Sequence, residues 1–141
     1  MFADTLAKFL EFITAHYVLS GTFIVLVVLL IVQQSRNAGR NLSSRELTAM
    51  VNRDEAFILD IRPKKEFSTG HIVGSVNISN DQLKDKMAEL EKHKDKTIIV
   101  VCASGMNAGG ACADLKKAGF TAARLSGGIT GWRSENLPVV K

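Results

Sequence analysis

Cysteine, proline and the larger aromatics are scarce in this chain: two Cys, two Pro, one Trp and one Tyr among 141 residues. Two thiols do not make the disulfide framework of a small secreted scaffold. They suit a reducing compartment, or one thiol kept for reactivity. There is no CxxC and no cluster of His and Cys at ligand spacing, so a zinc site is not expected. Internal repeats and low-complexity tracts are also missing. Charged residues at 23% and hydrophobic residues at 46% fit an ordinary globular chain, long enough for one domain and an appendage.

The net charge of +4 is unevenly placed. Residues 1–35 carry one basic and two acidic side chains, whereas residues 36–141 carry 17 basic and 12 acidic ones. Such an excess can mark a nucleic-acid or anionic membrane partner. Most of it alternates with acids, as over residues 81–96, which reads as a solvated helix face, and no nucleic-acid partner is expected. Arg36, Arg40 and Arg45 differ, because they cluster beside an apolar segment.

That segment has no formally charged residue from Phe12 to Ser35, and Phe23 to Val32 holds no polar side-chain atom. Crossing a hydrocarbon core of about 30 Å takes about 20 apolar helical residues. Ser20, Gly21 and Thr22 are tolerated in such a helix, since a hydroxyl bonds back to a carbonyl one turn earlier. A cleaved signal peptide would have a basic start and small residues at a cleavage site, and neither is present. A buried core helix would be shorter, and a surface helix would show a polar face. The sequence therefore predicts one transmembrane helix over about residues 13–34 within an N-terminal segment 1–35. Residues 36–41 read as a tether, and a soluble domain follows over 42–141. The three arginines after the span, against Lys8 before it, orient a single-pass protein with its C-terminal domain in the cytoplasm. The lipid bilayer is a partner through this helix.

Within 42–141 helical and strand patterns alternate. Ser43-x-x-Glu46 is a capping box and opens a helix to about Asn52. Phe57–Asp60 and Ser75–Ile78 read as strands. Asp81 begins a helix with Leu83, Met87 and Leu90 on one face. Thr97–Val101, apolar and β-branched, suits a central strand buried on both faces. A helix from about Ala108 to Ala118 ends at Gly119, Ala122–Leu125 is a further strand, and a short helix lies around Trp132. This alternation implies an α/β fold whose parallel sheet has helices on both faces. Its sites lie at the carboxyl ends of the strands.

Cys102 falls there, between the apolar strand and the small-residue loop that leads into a helix. Converging backbone N–H groups at such a place favour a thiolate over a thiol. The sequence equally allows a small apolar residue closing a core strand.

Three stretches then match a known family in order. Leu59-Asp-Ile-Arg62, Glu66-Phe67 and Gly70-His-Ile-Val-Gly-Ser-Val-Asn-Ile78 form the first. Val-Val-Cys102-Ala-Ser-Gly105 is the second, and Leu125-Ser-Gly-Gly-Ile-Thr-Gly-Trp132 the third. Residues 42–138 resemble a single rhodanese-type sulfurtransferase domain. Its pairing with one N-terminal apolar helix further resembles small membrane-anchored bacterial rhodanese proteins of the inner membrane. The resemblance implies a five-stranded parallel sheet and transfer of sulfane sulfur through a persulfide on Cys102. Thiosulfate or a persulfide would be donor, and cyanide, a small thiol or a protein thiol acceptor. The loop Ala103, Ser104, Gly105, Met106 and Asn107 would cradle the persulfide with its amides.

Family members with a basic loop often carry Arg five residues after the cysteine, where this chain has Asn107. A less positive loop suits a low-charge donor better than a dianion. It also keeps open a second reading, a catalytically weak rhodanese scaffold that binds partner proteins at the membrane. Asp60 could hold the loop, pair with Arg62 or make a strand-end turn bond. Arg62 could orient a donor anion or pair with Glu66. His71 reads as a structural hydrogen-bonding residue, Cys112 as helix packing without a disulfide, and Trp132 as a core plug.

Overall fold

The computed structural model describes residues 1–141, apart from the side chain of Asn37. It divides into two compact units, Met1–Ser35 and Arg36–Lys141.

In the first unit, helix α1 (Phe2–Ala15) ends at His16, and α2 begins at Tyr17 and runs to Asn37. The residues of the expected span thus fall on both helices, with His16 between them. In α2 a span of 20 residues, Tyr17–Arg36, contains an 18-residue stretch with a mean hydropathy of 2.1, none of it buried. It is long and apolar enough to cross a membrane. Thr22 donates its hydroxyl to the Val18 carbonyl at 2.8 Å, so that polar atom is satisfied inside the helix.

The second unit is a five-stranded sheet in which every pairing is parallel. Its strands are β1 (Arg40–Leu42), β2 (Ala56–Asp60), β3 (Val76–Asn77), β4 (Thr97–Val101) and β5 (Thr121–Leu125), in the order β1-β5-β4-β2-β3. The five-stranded parallel fold that the family resemblance implies is the one observed. β4 sits in the middle with Ile98, Ile99, Val100 and Val101 at most 1% exposed, as a strand covered on both faces requires. Alternation along it feeds two cores. Ile98, Val100 and Cys102 pack with Leu83, Leu90 and Leu115, the last from helix α5 (Ala108–Lys117). Ile99 and Val101 pack with Leu47 of α3 (Ser44–Asn52) and with Ile129 and Trp132 of α6 (Gly128–Ser134). Ser43 caps α3 by accepting the Glu46 N–H at 3.1 Å.

Two expectations are corrected. The stretch read as a tether over 36–41 contains most of β1, which pairs Arg40 with Ala123 and Leu42 with Leu125. Residues 81–93 do bury Leu83 and Leu90, but as turns followed by a 3-10 helix over Met87–His93 and not as one α-helix. Three-residue turns still bring Met87 and Leu90 to one side.

Candidate active site

Chain order reverses in this sheet between β2 and β4. β2 continues outward to β3, and the chain then returns to lay β4 on the other side of β2. A crevice opens at the carboxyl ends of strands at such a switch point. A cavity of about 630 Å³ occurs there, lined by residues that follow β2 (Arg62, Lys64, Glu66), β3 (Asp81) and β4 (Cys102, Asn107).

Cys102 follows directly on β4 and is 3% exposed, yet it lines this cavity. The loop after it bends back, with Gly105 at φ +91. That bend points the Gly105 N–H at the Cys102 Sγ, 2.8 Å away. Gly105 is suited by conformation, because a side chain is strained at positive φ.

The start of this loop is fastened from the opposite side of the sequence. Ile129 and Thr130, in the first turn of α6, donate their N–H groups to the carbonyls of Cys102 (2.9 Å) and Ala103 (3.0 Å). Gly127 at φ +74 and Gly128 at φ +58 make this approach possible. A Cβ on Gly128 would stand 2.3 Å from the Cys102 carbonyl oxygen. In the sequence these glycines mark a turn into the short final helix, and their hold on the Cys102 loop is seen only in the fold. A pair of glycines opening a helix after a strand was the available signal.

Asp60 ends β2, in register with Val101. Its carboxylate accepts from the Arg62 backbone N–H at 3.0 Å and from the Arg62 guanidinium at 2.8 Å, both residues being buried. Arg62 also donates to the Gly70 carbonyl at 2.8 Å. Of the two pairings open to Arg62 in the sequence, the one with Asp60 forms and the one with Glu66 does not. Residue 62 precedes Pro63, which disfavours helical backbone there, so Arg62 and Glu66 are not one helical turn apart on α4 (Lys64–Thr69). Asn77 closes the corner by donating its side-chain amide to the carbonyls of Asp60 and Arg62.

The remaining residues fall outside the cavity. His71 hydrogen-bonds the Phe67 carbonyl through Nδ1 at 3.0 Å and stacks on the Phe67 ring. Trp132 is buried and donates to the Pro138 carbonyl at 2.9 Å. Cys112 is fully buried in α5 with its thiol toward the Ala123 carbonyl, and both cysteines are free. Burial pushes the Cys112 thiol up to about 11. Among the described residues no group of His, Cys, Asp and Glu could hold a metal ion.

Comparison with known proteins bears on this site. The model of the rhodanese-like domain matches residues 43–135. The uncharacterized protein YibN of Escherichia coli is 36% identical over 139 residues, covering 95% of this chain and 97% of its own. That similarity takes in the N-terminal helices as well as the sheet. The thiosulfate sulfurtransferase GlpE of Pseudoalteromonas translucida is 33% identical over 98 residues, which is 69% of this chain and 91% of that protein. Among solved structures, a rhodanese-related protein of Thermoplasma volcanium superposes with a TM-score of 0.66 at 32% identity. That match covers 72% of this chain and 97% of that one. With the motifs, the sheet order and the cysteine at its switch point all in agreement, the chain belongs to the rhodanese-like domain family, with sulfurtransferases among its relatives.

Proposed function

We propose that this protein is a sulfurtransferase that carries sulfane sulfur as a persulfide on Cys102. The observation that carries the reading is the Cys102 thiol itself. It lines a cavity of about 630 Å³ and accepts the Gly105 amide at 2.8 Å, with its own carbonyl held by α6. Such a fixed, amide-facing sulfur suits a nucleophile that must be regenerated after each cycle.

In the first half-reaction the Cys102 thiolate attacks the outer sulfur of thiosulfate or of a persulfide. The bond between donor sulfurs breaks, and sulfite or the donor thiolate leaves with the electron pair. The outer sulfur now extends about 2.05 Å beyond Sγ, from a residue that lines the cavity, and so is presented to an acceptor there. A thiol or cyanide then attacks that outer sulfur and restores the Cys102 thiolate. Amides of Ala103 to Asn107 cradle the transferred sulfur. Asp60 and Arg62, joined to each other, brace the wall of the cavity and leave little free charge for the donor.

The apolar helix Tyr17–Arg36 is, in this reading, a single transmembrane anchor in the inner membrane, with residues 36–141 in the cytoplasm. Its length, a mean hydropathy of 2.1 over 18 of its residues, and Arg36 at its end with Arg40 and Arg45 beyond support this placement. The activity is tested by steady-state turnover of the full chain in detergent with thiosulfate or a persulfide as donor and cyanide or a thiol as acceptor. Ping-pong kinetics that vanish in Cys102→Ser are expected. Turnover that survives Cys102→Ser, or none with any pair, overturns the proposal.

A further inference from the structure

We propose that the sulfur donor this pocket takes is a persulfide carried on a cysteine flanked by basic side chains, and that Glu66 and Asp81 set that preference over anionic donors. The inference rests on the sulfurtransferase reading and names the donor class within it.

The formal charges around the cavity carry the argument. Arg62 faces it but is bound to the Asp60 carboxylate, with both side chains buried, so the pair contributes almost no net field. Lys64, Glu66 and Asp81 remain on the lining, all exposed, and among the described residues none of them is held in an ion pair. One cation and two anions leave the mouth net negative. The loop does not offset this, because Ala103 to Asn107 carry no charge, and the first basic residues of α5 are Lys116 and Lys117 in its last turn. Of the loop amides, that of Gly105 is already committed to the Cys102 sulfur.

An acidic mouth raises the local concentration of cationic ligands and lowers that of anions. A dianion such as thiosulfate is therefore poorly placed, and a carrier with Lys or Arg beside its persulfide is favoured. The cavity also exceeds the needs of a small inorganic anion and admits a cysteine arm with neighbouring side chains. Met106, on the same loop, is 85% exposed and offers apolar surface to such a carrier. The step balances without a further reagent. The Cys102 thiolate attacks the terminal sulfur of R–S–SH, the donor S–S bond breaks, R–S⁻ leaves with its electron pair, and Cys102 holds –S–SH.

The test uses the reduced full chain in detergent micelles and three donors: thiosulfate, a persulfidated Lys-Cys-Lys peptide and a persulfidated Glu-Cys-Glu peptide. The initial rate of sulfur appearance on Cys102 is read by mass spectrometry. At low salt the Lys-flanked peptide is expected to load about tenfold faster than the Glu-flanked one, a ratio of the size that focusing fields produce. The ratio should collapse in 1 M salt, where the Debye length is about 3 Å. Glu66→Gln with Asp81→Asn should bring the two peptides to similar rates and raise the thiosulfate rate, while Lys64→Ala should widen the gap. An equal or reversed preference in the unmodified chain overturns the proposal. So does a ratio that the double substitution and salt leave unchanged, provided the variant unfolds at the same temperature as its parent. Loading from no donor at all would instead sink the sulfurtransferase reading.

Discussion

Replacing Gly128 by alanine tests the claim that α6 holds the Cys102 loop in place. A Cβ at this position would lie 2.3 Å from the Cys102 carbonyl oxygen and 2.9 Å from the Ala103 carbonyl carbon. Ordinary contacts start near 3.5 Å, so the loop and helix must part by about 1 Å. Movement on that scale breaks the bonds from the Ile129 and Thr130 amides to the loop carbonyls, each worth about 0.5–1.5 kcal/mol. The backbone φ of +58 adds about 1–2 kcal/mol of strain for a residue with a side chain. The expected loss is about 2–5 kcal/mol. Two other glycines separate the causes. Gly74 has φ +81 but open space around it, so Gly74→Ala should lose only about 1–2 kcal/mol. Gly110 has neither strain nor neighbours and lies inside α5, so Gly110→Ala should gain up to about 1 kcal/mol. Urea unfolding of the full chain in detergent, followed by fluorescence of the single buried Trp132, measures all three. A Gly128→Ala protein within about 0.5 kcal/mol of its parent, the scatter of surface substitutions, would refute the reasoning.

Three further outcomes are expected. Arg62→Ala leaves the Asp60 carboxylate buried without its partner and should destabilise the domain by about 3–5 kcal/mol in the same unfolding assay. Cys112 ionises near 9.0 when exposed and at about 11 in the folded domain because of its burial. The unfolded chain therefore holds fewer protons between those values, and stability should be flat with respect to this group below pH 9.0 and fall as pH rises toward 11. Cys112→Ala should remove that part of the decline, as urea midpoints across this range would record. Asn107→Arg places a cation in the loop that lines the cavity. A charged hydrogen bond worth about 1.5–3 kcal/mol should raise kcat/KM for thiosulfate by about ten- to a hundredfold, measured as sulfite release.

Sequence patterns carried much of this architecture because the central elements are strongly patterned. Thr97–Val101 is apolar and β-branched throughout, and its burial on both faces follows from that composition alone. Cys102 was legible for the same reason, since the end of such a strand in a parallel sheet is where sites form. β1 was not legible, because Arg40 and Asn41 are exposed and only Leu42 is buried. What makes it a strand is its pairing with β5, more than 80 residues away, and no local pattern encodes that partner. Between Asp81 and His93 the spacing of Leu83, Met87 and Leu90 identified the buried face correctly. It could not distinguish α from 3-10 winding, since both place residues three apart on one side. Both Asp60 and Glu66 are open to Arg62 in the sequence; the choice falls to Asp60 because a four-residue spacing implies proximity only inside a helix, and α4 begins after Pro63.

Sulfur held covalently at Cys102 is tested most directly by peptide-resolved mass spectrometry of the full chain after exposure to a persulfide donor. One additional sulfur atom on Cys102, removed by an acceptor thiol and absent from Cys102→Ser, is the expected result. No added sulfur on Cys102, or sulfur found on the buried Cys112 instead, would contradict it.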